Sequence, residues 1–392
     1  MADGLLNKAS IILTPTGYKA GTLYNVAPVV EPYEDFDFAR TSIATRINSS
    51  GLVSNVATGV PRISYDSNGE NAHILLEPTS TNLVTYSEDF SEWDLGSNAT
   101  LTYESDVVAP DGSLGVYRLT LPATSSTFLL SNIFSGQNPL ALSIYAKSAS
   151  TNNNFNLYDG SNSSSLKTAS SEWQRFDYVG NGNQFAVINS GDTFITDIYI
   201  WGAQAEALSY STSYIPTLTG STETRATETA TGAGSADLIN STEGVLYAEI
   251  AMLSEDDKDS NNQLFISDGT ANQRVGIFTE SAGDVRVQIK DSGETPDSRN
   301  LTALDQSESG IDTAAFNKIA ILYKSGQNKL FVNGSRITDT NFDSMVFNFS
   351  SLDNLEFGSG ANSNYFRGKC KALAVFNEAL SDTELGNLTN NS

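Results

Sequence analysis

Apolar and polar side chains along this chain alternate with a period of two over many short runs, and almost nowhere with the 3.6-residue period of a helix. Between residues 86 and 219 such runs fall at 101–104, 115–121, 127–131, 140–147, 154–158, 174–179, 184–188 and 197–202, separated by polar and Gly-containing turns. The pattern is that of half-buried strands, and eight of them predict a β-sandwich of the jelly-roll type. A second set at 244–252, 263–268, 274–278, 285–290, 316–324, 329–332, 354–358 and 370–376 predicts a second sandwich over 238–392. Asn333-Gly334 sits between two apolar runs as a two-residue hairpin turn. The one stretch with helical character, NEALSDTELGNLTNN, places Ser381 three residues before Glu384, the spacing of a capping box. The expected fold class is all-β: two tandem jelly-roll β-sandwiches after a short N-terminal anchor and a β connector.

The segments outside the two sandwiches are read from composition. Residues 220–237, GSTETRATETATGAGSAD, carry Thr, Ala and Gly without aromatics and are predicted to be a linker open to proteases. Residues 35–85 hold brief runs at 52–56, 62–65 and 73–76 and read as a connector or small β subdomain. Residues 1–34 form a leader whose apolar side chains, Leu5, Leu6, Ile11, Ile12 and Leu13, are too few for a core of their own. They must dock on the rest of the chain, on sister chains or on a host assembly. Burial among sister chains related by rotational symmetry predicts a homotrimer.

Composition narrows the function classes. The 392 residues are too many for one sandwich and fit two or three domains. The net charge is −24, from 46 acidic against 22 basic residues. Such a chain repels phosphate backbones and anionic lipid, so nucleic-acid partners and membrane insertion are not expected, and its charge favours solubility. Its single cysteine, Cys370, cannot form an intramolecular disulfide; alternation within a strand predicts a packed thiol. No run reaches 18 apolar residues, and the opening MADGLLNKASIILTPTGYKAG lacks the regions of a signal peptide. Synthesis in a cytoplasm, without export by the usual route, is the expectation.

Candidate chemistry is sparse, and no catalytic residue is assigned. His73 is the only histidine, which excludes a histidine metal cluster, and its apolar run predicts a packed or edge position. Glu243 and Glu249 are six residues apart, and spacing alone says little in a chain with 46 acids. Neither a P-loop nor a dinucleotide fingerprint is present. The loop at 254–262 offers oxygen ligands from Glu255, Asp256, Asp257 and Asp259, a Ca²⁺ site in its functional reading and a solvated acidic turn otherwise; the absent EF-hand pattern favours the turn, and no other cofactor is expected. Trp93, Trp173 and Trp201 are predicted to pack within the first sandwich. Tyr158, Tyr210 and Tyr365 stand beside Gly, Ser and Asn loops, where exposed aromatics bind ligands.

Three motifs in order, FNKIAILY at 316–323, KLFVNG at 329–334 and ALAVFNEALSDTEL at 372–385, resemble the concanavalin A-like, laminin-G-type jelly rolls. FSEW at 90–93, SEWQRF at 171–176, IYIWGAQAE at 198–206 and SYIPT at 213–217 resemble jelly rolls of the carbohydrate-binding-module type. The runs FARTSIATRIN at 38–48, GVPRISY at 59–65 and LLEPTSTNL at 75–83 resemble a segment of bacteriophage fibre and tail proteins. With LTPT at 13–16, the resemblance implies an N-terminal virion anchor contacting other virion proteins, followed by sandwiches that face host surface glycans. It implies a structural fibre or spike protein on the phage particle, and the missing site chemistry makes a non-enzymatic one the expectation. A cellular or secreted carbohydrate-binding protein and a divergent glycanase are the alternatives.

Overall fold

The computed structural model describes residues 4–27, 34–124, 127–132, 134–189, 194–255, 262–280, 283–291, 298–305, 312–361 and 363–390. The fold is nearly all-β, as the alternation predicts. It divides into two compact units, each assembled from separate stretches of chain: residues 1–41, 56–78 and 227–392 form the first, residues 42–55 and 79–226 the second.

In the first unit an eight-stranded sheet runs in the order Ser335–Ile337, Lys329–Val332, Asn317–Lys324, Glu243–Met252, Gly368–Phe376, His73–Leu76, Ile63–Ser64, with Ile11–Leu13 also paired to Gly368–Phe376. The strand Glu243–Met252 is buried along nearly its whole length because both faces of its sheet are covered. On one face Leu246, Ala248 and Ile250 cluster with Leu264, Ile266, Val275 and Ile277 of a five-stranded sheet. On the other, Val245, Tyr247 and Phe376 cluster with Leu5 and with Leu385 and Leu388 of the helix Asp382–Thr389. That helix opens on the expected capping box between Ser381 and Glu384. Asn333 (φ 48°) and Gly334 (φ 84°) form the expected hairpin turn between Val332 and Ser335.

Of the docking partners expected for the leader, the rest of the chain is the one observed. Ile11, Ile12 and Leu13 lie opposite Val375, Ala374 and Leu373, and all three are buried, as is Leu5; the Leu6 side chain lies outside the described residues. The reason is a half-filled strand edge. His73–Leu76 occupies only Gly368–Cys370 of the long strand Gly368–Phe376, and Ile11–Leu13 completes the same edge further along. The apolar surface assigned to a virion anchor is thus used within the chain itself.

Two short stretches within residues 220–237 are strand-paired, in contrast to the expected linker. Glu223–Arg225 pairs with Ser80–Asn82 in the second unit, and Thr229–Thr231 pairs with Phe36–Ala39 in the first. The TETRATETAT alternation suits a pleated surface, with Arg225, Glu228 and Ala230 buried. The chain passes between units after residues 41, 55, 78 and 226, so residues 35–85 contribute to both.

Close to these passages, in the first unit, four charged side chains are buried together. Glu228 Oε1 accepts from Arg40 Nη1 at 2.7 Å and from Arg62 Nε at 2.8 Å, while its Oε2 also meets Arg62 Nη2. Arg62 Nη2 reaches Glu77 Oε2 at 2.8 Å. The backbones of Glu77 and Glu228 close the group, Glu77 N donating to Glu228 Oε2 at 3.0 Å and Glu228 N to the Glu77 carbonyl at 3.1 Å. Burial works against the Arg62 charge, but Glu228 and Glu77 outweigh it and hold the guanidinium above its ordinary pKa.

In the second unit a nine-stranded sheet runs Asp94–Leu95, Phe128–Leu130, Ala186–Ile188, Leu140–Tyr158, Thr196–Glu206, Leu114–Leu121, Thr100–Val108, with Lys167–Thr168 and Gln174–Gly180 branching from Leu140–Tyr158. The two strands expected at 140–147 and 154–158 are one strand of 19 residues, whose pairing with Thr196–Glu206 shifts register between Ser148 and Asn153. Trp93 and Trp201 are buried; Trp173 is half-buried, its Nε1 donating to the Val108 carbonyl at 2.8 Å.

Two outcomes are expected. Glu228→Gln removes one of two carboxylates that neutralise two buried arginines and is expected to cost about 3–5 kcal/mol in urea unfolding; a loss below about 1 kcal/mol would contradict the arrangement. His73 is 6% exposed, with Nδ1 2.8 Å from the Asn71 carbonyl, and burial lowers its pKa to about 4. The unfolded chain therefore takes up this proton near pH 6.5, before the folded protein does. Stability from the neutral ring is present above that pH and is lost as pH falls toward 4, by about 3 kcal/mol. Unfolding of wild type and His73→Gln between pH 7 and 4.5 should show a shallower loss in the variant; parallel curves would refute the assignment.

Candidate functional site

The candidate site is built on the sheet of the second unit, where Phe128–Leu130, Ala186–Ile188 and the end of Leu140–Tyr158 lie side by side. Register fixes which side chains share a face. Leu129, Val187 and Leu157 form one row and belong to the core. Because strand side chains alternate, the neighbouring rows point the other way: Phe128, Ile188 and Asn156 form one, Leu130, Ala186 and Tyr158 the other. Phe128, Leu130, Ile188 and Tyr158 are half-buried, so apolar and aromatic surface faces outward. With Gln184 they line a shallow concavity of about 200 Å³, smaller than the roughly 300–1,000 Å³ clefts that engulf drug-sized ligands. Its form is a shallow platform with an apolar and aromatic floor.

A buried carboxylate positions the rim. Asp159 follows Tyr158 and is fully buried. Its Oδ1 accepts from the backbone N–H of Ser161 at 2.7 Å and of Asn162 at 2.6 Å, and its Oδ2 from that of Asn181 at 2.9 Å. Its carbonyl accepts from Asn183 and Gln184 N–H. One residue thereby joins the loop after Tyr158 to the loop before the Ala186–Ile188 strand. The approach requires glycine: a Cβ at Gly182 would come 1.8 Å from the Asp159 carbonyl oxygen, and one at Gly180 2.0 Å from Oδ2. The Tyr158 hydroxyl donates to the Gly160 carbonyl at 2.8 Å, which fixes the ring. The Gln184 carboxamide makes no side-chain hydrogen bond among the described residues and stands half-buried at the rim.

The other candidates disperse. Tyr210 is 7% exposed and offers no open face. Tyr365 belongs to the first unit, half-buried, with a backbone bridge to Gln263. Glu255 is exposed, while Asp256, Asp257 and Asp259 lie outside the described residues. Phe128, Leu130, Ile188 and Gln184 were not singled out from sequence. Their signal is present in the runs FLL and AVI, apolar on both faces where one face would suffice. A larger groove of about 380 Å³ in the same unit has Tyr214 and Arg225 buried in its lining and exposed Ile43 and Leu218; it offers no open aromatic face.

Residues 251–386 match the family described as the concanavalin A-like lectin/glucanases superfamily. No curated protein matches the chain. Among solved structures, the CBM40 of the Ruminococcus gnavus IT-sialidase is 18% identical over 41% of this chain and 94% of that one, with a TM-score of 0.31. Domain 4 of AbnA, a GH43 extracellular arabinanase from Geobacillus stearothermophilus, in complex with arabinotriose, is 15% identical over 42% of this chain and 73% of that one, with a TM-score of 0.31. The binding domain of Paraclostridial Mosquitocidal Protein 1 is 12% identical over 80% and 52%, with a TM-score of 0.27.

Asp159→Ala leaves three backbone donors without their acceptor and is expected to lower stability by about 1–3 kcal/mol. Asp159→Asn, which keeps one acceptor oxygen, should lose less. Equal stability of all three proteins in chemical denaturation would show that the carboxylate does not hold the loops.

Proposed function

We propose that this chain is a non-enzymatic glycan-binding protein of two β-sandwich units, borne on a bacteriophage head or tail fibre or spike. The observation that carries the binding reading is the outward face shared by Tyr158 and Leu130 in one row and Phe128 in another, with the Gln184 carboxamide at its rim. An apolar ring face flanked by an amide suits a sugar, which presents C–H groups on its faces and hydroxyls at its edge. The match of 251–386 to a lectin and glucanase superfamily supports the same reading for the first unit.

Binding without hydrolysis is supported by what the acids and the histidine do. Asp159 is taken up by backbone donors. Glu243 pairs with Lys324 at 2.6 Å, and His73 is buried and held neutral. The reading invokes no cofactor. The phage setting rests on the runs at 38–48, 59–65 and 75–83 that resemble fibre and tail segments. With Ile11, Ile12 and Leu13 paired inside the chain, the leader no longer asks for sister chains. The trimer rests on multivalent display alone, which raises the avidity of weak sites. A cellular or secreted carbohydrate-binding protein would use the same platform.

Tyr158→Ala and Phe128→Ala are each expected to weaken binding on a panel of bacterial surface polysaccharides by about tenfold or more, with the fold retained. Unchanged binding would displace the site. Release of reducing ends in proportion to protein would overturn the non-enzymatic reading, and labelling of phage particles by an antibody to this chain decides its setting.

A further inference from the structure

The five-stranded sheet of the first unit carries a different chemistry on its outer face, where Arg274 and Lys290 are half-buried above buried neighbours. Its strands are Ser298–Leu304, Val285–Lys290, Arg274–Thr279, Gln263–Ser267 and Asn354–Glu356, in that order. Leu264, Ile266, Val275, Ile277, Val287 and Ile289 face the core. The alternate positions, Gln263, Phe265, Arg274, Gly276, Gln288 and Lys290, face away from it. Gly276 lies opposite Phe265 on one side and Gln288 on the other. A Cβ there would come 2.1 Å from the Leu264 carbonyl oxygen and 2.6 Å from the Phe265 ring. The bare backbone leaves room for the ring, and the Arg274 guanidinium lies over it at 4.4 Å from the centroid.

Every described group that hydrogen-bonds Arg274 is neutral. Nε donates to Gln288 Oε1 at 2.7 Å, and Nη1 to Gln263 Oε1 at 3.2 Å and to the Ser359 carbonyl at 3.0 Å. Nη2 makes no hydrogen bond among the described residues, and no described carboxylate pairs with the guanidinium. Lys290, the register partner of Arg274, donates to the Ala271 carbonyl at 2.9 Å and likewise lacks a described carboxylate partner. Arg286, on the same strand as Lys290, shows the ordinary alternative, with Glu280 at 3.1 Å and Asp284 at 3.8 Å. Burial draws Arg274 below its usual pKa, and burial together with Arg274 does the same to Lys290. Among the described residues, two adjacent cations are thus held by neutral acceptors, in a chain with 46 acids and 22 bases.

We propose that Arg274 and Lys290 form an anion-recognition site on this sheet face for the acidic group of a charged saccharide. A planar guanidinium preset by a ring below and two carboxamides beside it presents its free edge to a carboxylate or sulfate, and Lys290 adds a second positive charge on the same side. The inference rests on the glycan-binding reading and deepens it by naming an acidic glycan for the first unit.

Calorimetry on the full chain tests it with trigalacturonate, its carboxyl-reduced neutral counterpart and a sulfated trisaccharide of the same backbone, at 50 and 500 mM salt. The expected result is binding of an acidic trisaccharide at least tenfold tighter than the neutral one, weakened by salt; which acidic compound binds identifies the group. Arg274→Gln should abolish that preference and Lys290→Gln reduce it several-fold. Arg274→Lys, which keeps the charge and loses the planar fork, should fall between wild type and Arg274→Gln, and Tyr158→Ala should leave the preference intact. Unfolding curves establish that the variants are folded. Equal affinity for acidic and neutral compounds, or an acid preference that Arg274→Gln and Lys290→Gln both leave unchanged, overturns this inference alone. Failure of every saccharide to bind, including the surface-polysaccharide panel, overturns the glycan-binding reading together with it.

Discussion

The fold depends most on the buried group of Arg40, Arg62, Glu77 and Glu228. Two guanidinium groups and two carboxylates are removed from water, each a large desolvation cost, and only close mutual geometry offsets it. The four residues come from stretches far apart in sequence: Glu228 lies 188 residues from Arg40 and 166 from Arg62. The group forms only when the chain has already passed between units and returned. Arg40 adds a bond from Nη2 to the Ala57 carbonyl at 2.6 Å, so the segment re-entering the first unit is tied down as well. Any pairing that shifted Thr229–Thr231 along Phe36–Ala39 would strand one of these charges. The group thus acts as a register device as much as a source of stability.

That dependence explains what could be read from sequence. Signals within a few residues were legible: the capping box at Ser381 and Glu384, the Asn333-Gly334 turn, and the run at 73–76, which is a strand over the same residues. Arrangements decided by distant partners were not. The TETRATETAT stretch has the composition of a linker, and only its partners, Ser80–Asn82 and Phe36–Ala39, make it two strands. The polar residues between Ser148 and Asn153 read as a loop, yet the strand runs through them because neighbouring strands supply hydrogen bonds on both sides of the register shift. Ile11, Ile12 and Leu13 were legible as apolar residues in need of a partner, but nothing local names the half-filled edge of Gly368–Phe376.

The platform shows the same division. Tyr158 stood out as an aromatic beside Asp159-Gly160, and the structure places it at the end of the strand Leu140–Tyr158, half-buried. Tyr210 had an equivalent local sequence and is buried. Composition around a tyrosine does not fix whether its ring faces solvent; the register of its strand and the covering of its face do. Asp159 was one acid among many until three backbone N–H groups were seen to converge on it, which makes it a structural group holding two loops together.

Arg62 and Arg274 meet the same constraint in opposite ways. Both are removed in part or whole from water, which by itself disfavours their charge. Around Arg62 two carboxylates answer the guanidinium, the charges cancel within the group, and its pKa is driven up. Around Arg274 the described acceptors are carboxamide and carbonyl oxygens, and burial draws its pKa down. A guanidinium held flat on a ring by neutral acceptors gains orientation without losing its charge to a neighbour. Orientation of an uncompensated charge does little for stability, and it is what an anionic ligand requires.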